Sequence, residues 1–266
     1  MELTIIQFLI LGIVQGITEW LPISSSGMLS LILANFYGVT NPGVLVTTSL
    51  FFHLGTFFAA LIYLRKEVYR MFHSLFHYKT SKIEDKKVLN FIIFTTIISG
   101  VLGFLIIKLL FSLDFLDLTG KTISFAIGIM LLFTGIIQIS KKSPGLKKAK
   151  DLKHKDSWVL GLAQAASVIP GISRSGITIS ALLLKKFDDT SALKLSFLMS
   201  LPIVLIGNII LNLEDLIFTP NALFGLLASF IFGLLTISFL MKLSKKINFA
   251  WFVIVFAILM MASILV

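Results

Sequence analysis

The fold of this chain depends on the stretch LGLAQAASVIPGISRSG at residues 160–176 and on an earlier copy of it, LGIVQGITEWLPISSSG, at residues 11–27. At an offset of 149 positions the two stretches share seven identical residues. Each starts as an apolar run and then reaches proline, serine and glycine, which interrupt an α-helix. The chain therefore repeats one unit whose helix is broken in the middle.

Composition places both copies in a membrane. The chain has 266 residues, of which 57% are hydrophobic, and its mean hydropathy is +0.99. Only 14% of the residues are charged, against roughly 25% in a soluble domain, which excludes a soluble globular enzyme. In lipid only helices or closed barrels satisfy the backbone, and apolar runs without alternation favour helices. We therefore predict an all-α polytopic membrane protein.

Six apolar stretches are long enough to cross a membrane, and two further stretches are apolar but broken. The six predicted spans cover residues 45–64, 89–110, 122–140, 190–211, 221–241 and 248–266. The broken stretches cover residues 4–36 and 157–184. A broken helix leaves backbone groups that must be buried or face a cavity. We therefore predict that each broken stretch forms a re-entrant helical hairpin.

Most of the positive charge lies in three segments, residues 65–87, 141–155 and 242–246, whereas the connections at 111–120 and 212–220 contain acidic residues and no Lys or Arg. The positive-inside rule places the basic segments in the cytoplasm and the acidic connections outside. Both chain ends are then external. The formal net charge of +10 is explained in this way and does not indicate a nucleic-acid partner.

The repeat predicts the domain organisation. We expect one integral membrane domain over 1–266, with repeat one at 1–140, repeat two at 157–266 and a basic cytoplasmic loop at 141–156. A hairpin followed by three spans crosses the membrane an odd number of times, so two tandem copies face opposite ways. This inverted-repeat plan is typical of transporters, whose sites lie where broken helices meet near the midplane. Ser25 and Arg174 occupy equivalent places and are predicted to approach each other.

The arginine of the second stretch indicates an anion site. An ionisable residue inside a membrane costs about 3 kcal/mol on insertion scales, so it suggests a function. Arg174, the hydroxyls of Ser173, Ser175 and Thr178, and a helix N-terminus together suit a phosphate group. The alternative is a structural arginine that satisfies loop carbonyl groups.

The first stretch adds groups for phosphoryl transfer. Gln15 and Glu19 are four residues apart and share a helix face. Glu19 is followed by Ser24, Ser25 and Ser26. In this reading Ser25 attacks phosphorus, Glu19 takes the proton or holds a divalent cation such as Mg²⁺ or Ca²⁺, and Arg174 neutralises the phosphate. The alternative is that the serines only cap a helix or allow close helix packing.

His53 is the only histidine within a predicted span. It is either a site residue or a hydrogen-bonded packing histidine, and the sequence leaves both alternatives open. The chain contains no cysteine, and no His, Asp and Glu cluster has the spacing of a protein-only metal site. No organic cofactor is predicted. The segment RKEVYRMFHSLFHYK at residues 65–79 is basic and amphipathic, which is typical of a helix on the membrane surface.

Four motifs resemble the bacitracin-resistance family of undecaprenyl-diphosphate phosphatases. They are QGITEWLPISSSGML (15–29), FFHLGTFFAALIY (51–63), PGISRSGITIS (170–180) and SFLMSLPIVLIG (196–207). The resemblance covers essentially the whole chain. It implies hydrolysis of a polyprenyl diphosphate to the monophosphate and inorganic phosphate, which recycles the lipid carrier of cell-wall peptidoglycan. The site residues that it implies are Glu19, Ser24, Ser25, Ser173, Arg174, Ser175 and Thr178.

The chain departs from the family pattern at Met28, which stands where the family motif has histidine. Gln15 stands where many members have a second glutamate and others have glutamine. Either Ser25 and Glu19 suffice for catalysis, or the activity is lost or altered. In the second case the chain is a polyprenyl-phosphate flippase or transporter that binds lipid phosphate at Arg174 without cleaving it. The expected partners are the lipid substrate and membrane lipids. The sequence leaves open whether the chain forms a homodimer.

Overall fold

The described residues of the computed structural model are helical, apart from turns and one isolated bridge between Lys147 and Phe187. The structure describes residues 3–39, 41–112, 145–169, 172–212, 219–244 and 249–262, with residues 129, 132 and 136. The α-helices, in chain order, are α1 Ile5–Thr18, α2 Ser25–Tyr37, α3 Pro42–Tyr63, α4 Arg65–Phe76, α5 Ile83–Ser112, α6 His154–Ala166, α7 Arg174–Leu184, α8 Asp189–Asn212, α9 Pro220–Leu243 and α10 Phe249–Ala262.

Four predicted spans are confirmed as helices long and apolar enough to cross a membrane. They lie in α3, α5, α8 and α9. The helix α5 begins at Ile83, six positions before the predicted span, because the polar residues ahead of residue 89 continue the helix. The predicted span 122–140 lies outside the described residues, apart from residues 129, 132 and 136, which are helical. Of the last predicted span, the described part is the helix α10.

Both broken stretches are interrupted where the sequence predicts. The helices α1 and α2 are separated by residues 19–24, and α6 and α7 by residues 167–173. The second helix of each pair begins with the same cap, in which a serine oxygen accepts from the backbone N–H of a glycine three residues on. The distance is 3.2 Å from Ser24 to Gly27 and 3.1 Å from Ser173 to Gly176. Pro170 and Gly171 lie outside the described residues.

The first helix of each broken pair packs on a long helix from the other half of the chain. The helix α1 lies along α9, and α6 lies along α5. Glycines allow these close approaches, as is usual between membrane helices. A Cβ at Gly161 would lie 2.7 Å from the Ile98 side chain, and a Cβ at Gly12 would overlap the carbonyl oxygen of Gly225.

The turn after α1 is anchored by a buried tryptophan. The indole N–H of Trp20 donates to the carbonyl oxygen of Gly233 in α9 at 3.0 Å. Its ring meets Phe197 of α8 edge to face, with 4.9 Å between centroids. The hydroxyl of Ser175 donates to the carbonyl oxygen of Leu21 at 2.6 Å, so the start of α7 satisfies a backbone group that the break exposes. The two helix breaks therefore stabilise each other.

Several basic segments meet at one end of the molecule. Lys194 in α8 pairs with Glu67 in α4 at 2.7 Å, and the Lys87 ammonium donates to the carbonyl oxygen of Lys150 at 2.7 Å. A cavity of about 350 Å³ lies between these elements, and its lining does not include the candidate site residues. The outer face of α4 exposes Tyr69. This position suits the predicted interfacial helix.

We expect Gly12→Ala to destabilise the protein by about 1–3 kcal/mol, because overpacking forces backbone to shift and the new Cβ would overlap the Gly225 carbonyl group. Gly100→Ala is the matched control, since a Cβ there meets nothing within 4 Å. The measurement is the thermal unfolding midpoint in detergent, followed by tryptophan fluorescence. Equal midpoints for the two variants would contradict the packing of α1 on α9.

Candidate active site

The centre of the candidate site is the carboxylate of Glu19, which is buried at the end of α1. Its Oε1 accepts from the Arg174 guanidinium at 2.6 Å. Its Oε2 accepts from the Ser25 hydroxyl at 2.7 Å and from the Gln15 amide at 2.9 Å. The Nε2 of His53 lies 3.0 Å from the same oxygen. Four helices thus each supply one donor to a single carboxylate, which satisfies a charge that is costly to bury alone.

Arg174 is the first residue of α7, and its side chain reaches across to the first broken stretch. One terminal nitrogen binds Glu19 and the other donates to the carbonyl oxygen of Ser196 in α8 at 3.2 Å. The side chain is 13% exposed. The arginine thus bonds a backbone carbonyl group and also holds the central carboxylate, and its binding of phosphate stays a prediction. The predicted approach of Ser25 and Arg174 is confirmed, since both contact Glu19.

The three serines of the first stretch have different surroundings. Ser24 caps α2, as the alternative to a catalytic role predicts. Ser25 is buried, and its hydroxyl points at Glu19. Ser26 is exposed, and its hydroxyl lies 3.4 Å from that of Ser24. Of the three, Ser25 alone has an oxygen beside a group that can take its proton.

His53 lies inside the site. In addition to the contact with Glu19, its Nδ1 lies 2.7 Å from the carbonyl oxygen of Ser49. Both ring nitrogens face acceptors, so the ring donates to both only when each nitrogen carries a proton. When both nitrogens are protonated, His53 is a cation and forms an ion pair with Glu19.

Three other predicted phosphate-binding residues hold the framework together. The hydroxyls of Ser173 and Ser175 lie 3.1 Å apart, and Ser175 bonds the Leu21 carbonyl group. The Thr178 hydroxyl donates to the Arg174 carbonyl oxygen at 2.7 Å and also lies 2.7 Å from the Ser196 hydroxyl. The phosphate contacts that the sequence assigns to these residues stay predictions. Their contacts in the structure fix the start of α7 and thereby Arg174.

Gln15 combines one satisfied and one unsatisfied group. Its amide nitrogen binds Glu19, whereas its Oε1 is buried and has no hydrogen-bond partner among the described residues. Its repeat equivalent, Gln164, has the same pattern in the described part of the chain, with its nitrogen donating to Ser99 at 2.8 Å and its Oε1 unpartnered. The two glutamines thus occupy corresponding positions, but they differ in their partners, which are a carboxylate for Gln15 and a hydroxyl for Gln164.

Sequence reasoning missed the supporting role of Ser196. Its carbonyl oxygen binds Arg174 and its hydroxyl meets Thr178. The signal available was its place in the apolar stretch 196–207, where a serine is a polar exception. The histidine position of the family pattern holds Met28, which lies one turn after Ser25 and is 40% exposed.

The side chains of the site do not by themselves form a metal cage. Within the described part of the chain, no group of three His, Cys, Asp or Glu could hold a metal ion. Both oxygens of Glu19 are engaged, and one of their partners is a guanidinium that repels cations. A divalent cation would need most of its ligands from substrate phosphate oxygens.

Comparison with known proteins identifies the family of this chain. The family model of the bacitracin resistance protein BacA matches residues 8–262. The chain belongs to this family. It is 41% identical over 257 residues to an undecaprenyl-diphosphatase of Methanococcoides burtonii, with 95% of each chain covered. It is 33% identical over 264 residues to an undecaprenyl-diphosphatase of Methanothrix thermoacetophila, with 97% of this chain and 96% of the relative covered.

We expect Arg174→Met to destabilise the protein by about 3–5 kcal/mol, since it leaves Glu19 without its charged partner in a buried site. Adding Glu19→Gln should recover part of this loss, because it removes the charge left behind. The measurement is a double-mutant cycle on the free energy of unfolding in detergent.

Arg70→Met is the control for this cycle. Arg70 is 54% exposed and lies 3.9 Å from Asp85, so its loss should cost less than about 1 kcal/mol. Strictly additive effects of Arg174→Met and Glu19→Gln would contradict the coupling of the two side chains.

Proposed function

We propose that this chain is a membrane phosphatase that hydrolyses a polyprenyl diphosphate of the undecaprenyl type to the monophosphate and inorganic phosphate. The observation that carries the proposal is the contact of Ser25 and Arg174 with opposite oxygens of Glu19. This arrangement supplies a nucleophile, its base and a cation for phosphate in one buried place. The relatives named undecaprenyl-diphosphatase support the substrate.

In the first step the Ser25 oxygen attacks the distal phosphorus of the diphosphate. The hydroxyl proton passes to Oε2 of Glu19, which already accepts its hydrogen bond at 2.7 Å. The bond from the distal phosphorus to the bridging oxygen breaks, and the polyprenyl monophosphate leaves as an anion. Arg174 stabilises the charge on the equatorial oxygens.

In the second step water attacks the phosphoserine. The phosphorus–Oγ bond breaks, Ser25 recovers the proton held by Glu19, and inorganic phosphate leaves with both hydrogens of the water. Glu19 is then a carboxylate again, so the cycle closes without a net change in the protein. The positive ends of α2 and α7, which begin at Ser25 and Arg174, face the same place and favour the anionic intermediate.

The inverted repeat supplies the setting for this chemistry. The first helix of each half packs on a long helix of the other half, α1 on α9 and α6 on α5. This reciprocal packing supports two equivalent halves related by a pseudo-two-fold axis. The identical caps at Ser24 and Ser173 support the same relation. In this arrangement α1–α2 and α6–α7 are re-entrant hairpins, and the site lies near the midplane.

The basic end of the molecule supports one orientation of the chain in the membrane. Arg65–Phe76, residues 145–155 and the start of α8 lie together, which supports a cytoplasmic position for this end. The chain termini are then external, and the site opens to the outer side. The prenyl tail lies between helices in the lipid phase, where apolar side chains such as that of Met28 are exposed.

We expect Ser25→Ala to abolish inorganic phosphate release from a polyprenyl diphosphate by purified protein in detergent, with a fall of more than about 1,000-fold in turnover. The reason is the loss of the nucleophile, and the protein stays folded because Arg174, Gln15 and His53 still contact Glu19. Ser26→Ala is the matched control, because Ser26 is exposed and adjacent. Near-parental turnover of Ser25→Ala would rule out the serine mechanism.

A further prediction of the proposed function concerns divalent cations. Because the described residues include no cluster that could hold a metal ion, we expect Mg²⁺ or Ca²⁺ alone to leave the unfolding midpoint of the substrate-free protein unchanged relative to a chelator. Any cation requirement should then appear only with substrate, as a change in KM for the diphosphate. A rise of several degrees in the midpoint with Mg²⁺ alone would show a resident metal site and contradict this prediction.

A further inference from the structure

The surroundings of His53 are more specific than those of a packing histidine. Its Nε2 lies 3.0 Å from Oε2 of Glu19, the same oxygen that accepts the Ser25 hydroxyl. Its side chain is 15% exposed. The imidazole therefore contacts the atom that receives the proton in the proposed reaction.

The backbone around His53 is held by the neighbouring helix. A Cβ at Gly55 would lie 2.6 Å from the Ser229 side chain and 2.7 Å from the Leu226 carbonyl oxygen, so glycine lets α3 press against α9. The Ser229 hydroxyl donates to the carbonyl oxygen of Phe52 at 2.8 Å. Because Nδ1 lies against the Ser49 carbonyl oxygen, the ring cannot turn without losing this part-buried hydrogen bond.

The orientation of Glu19 needs such a restraint. A guanidinium prefers to bind a carboxylate through both oxygens at once, but Arg174 contacts only Oε1. If the Glu19 carboxylate rotated so that both of its oxygens bound the guanidinium, Oε2 would lose its hydrogen bond from Ser25. The donors from His53 and Gln15, which both contact Oε2, oppose this rotation.

We infer that His53 is a positioning residue, which holds Oε2 of Glu19 towards Ser25 against the pull of Arg174. This inference rests on the proposed phosphatase function. It assigns His53 a role through Glu19 and not through substrate. Met28, whose thioether carries no transferable proton, has no part in it.

The test compares His53→Leu with His53→Gln in the phosphate-release assay, per folded protein. We expect His53→Leu to lower kcat by about 100-fold, the effect of a small misplacement of a reacting group. KM should change less than threefold, because Arg174 still holds the phosphate. His53→Gln keeps an N–H donor and should recover at least a tenth of the parental kcat. Thr56→Val, which removes a hydroxyl bonded to the His53 carbonyl oxygen, is the control and should keep the parental kcat.

A second readout does not need activity. The chain has four histidines, so ¹⁵N-histidine NMR can assign His53 by its loss in His53→Gln. The Nε2 resonance should shift in Glu19→Gln, which removes the charged acceptor, and should stay in place in Ser26→Ala. If the Nε2 resonance of His53 did not shift in Glu19→Gln, the contact between His53 and Glu19 would be ruled out.

The outcomes separate the two ideas. If the parent protein releases phosphate and His53→Leu keeps its kcat within twofold, the inference about His53 fails and the phosphatase stands. Equal kcat in His53→Leu and His53→Gln, both far below the parent, would also overturn it, because the loss would then be structural. If neither the parent nor any variant releases phosphate, the proposed function fails, and the inference fails with it.

Discussion

The buried carboxylate of Glu19 is the constraint on which the arrangement of the helices depends. An unpaired carboxylate in a low-dielectric interior would cost several kcal/mol, and its four donors together offset this cost. They come from Gln15 on the same helix and from α2, α3 and α7. Satisfying one charge therefore fixes the depth and rotation of four helices relative to one another.

The broken helices follow from the same requirement. A continuous membrane helix exposes only side chains, whereas a break brings a helix N-terminus, which can bind an anion, into the apolar region. The break also frees backbone groups, and the other half of the chain satisfies one of them, since Ser175 bonds the Leu21 carbonyl group. Neither break is independent of the other, so the two halves form a single unit around the site.

The sequence predicted the four spans in α3, α5, α8 and α9, both helix breaks and the approach of Ser25 and Arg174, which meet at Glu19. Apolar length and proline determine the spans and the breaks locally, and the internal repeat places the two residues in equivalent positions. It left His53 open, because its contact with Glu19 depends on how closely α3 approaches α9. That distance is set by Gly55 against Ser229 and Leu226, which are far away in the chain. The contacts of Ser173 and Ser175 with Leu21 were missed for the same reason, since they join two turns of different halves.

The pairing of Arg174 with Glu19 has a consequence for the order of events in the proposed reaction. Phosphate oxygens compete with Oε1 for the guanidinium, and they carry more charge than one carboxylate. When Arg174 turns to the phosphate, Glu19 loses its strongest donor, while Ser25, Gln15 and His53 still hold Oε2. Removing a cation from a carboxylate raises its affinity for protons. Glu19 therefore becomes a better base only once the diphosphate is in place, which ties activation of Ser25 to the arrival of substrate.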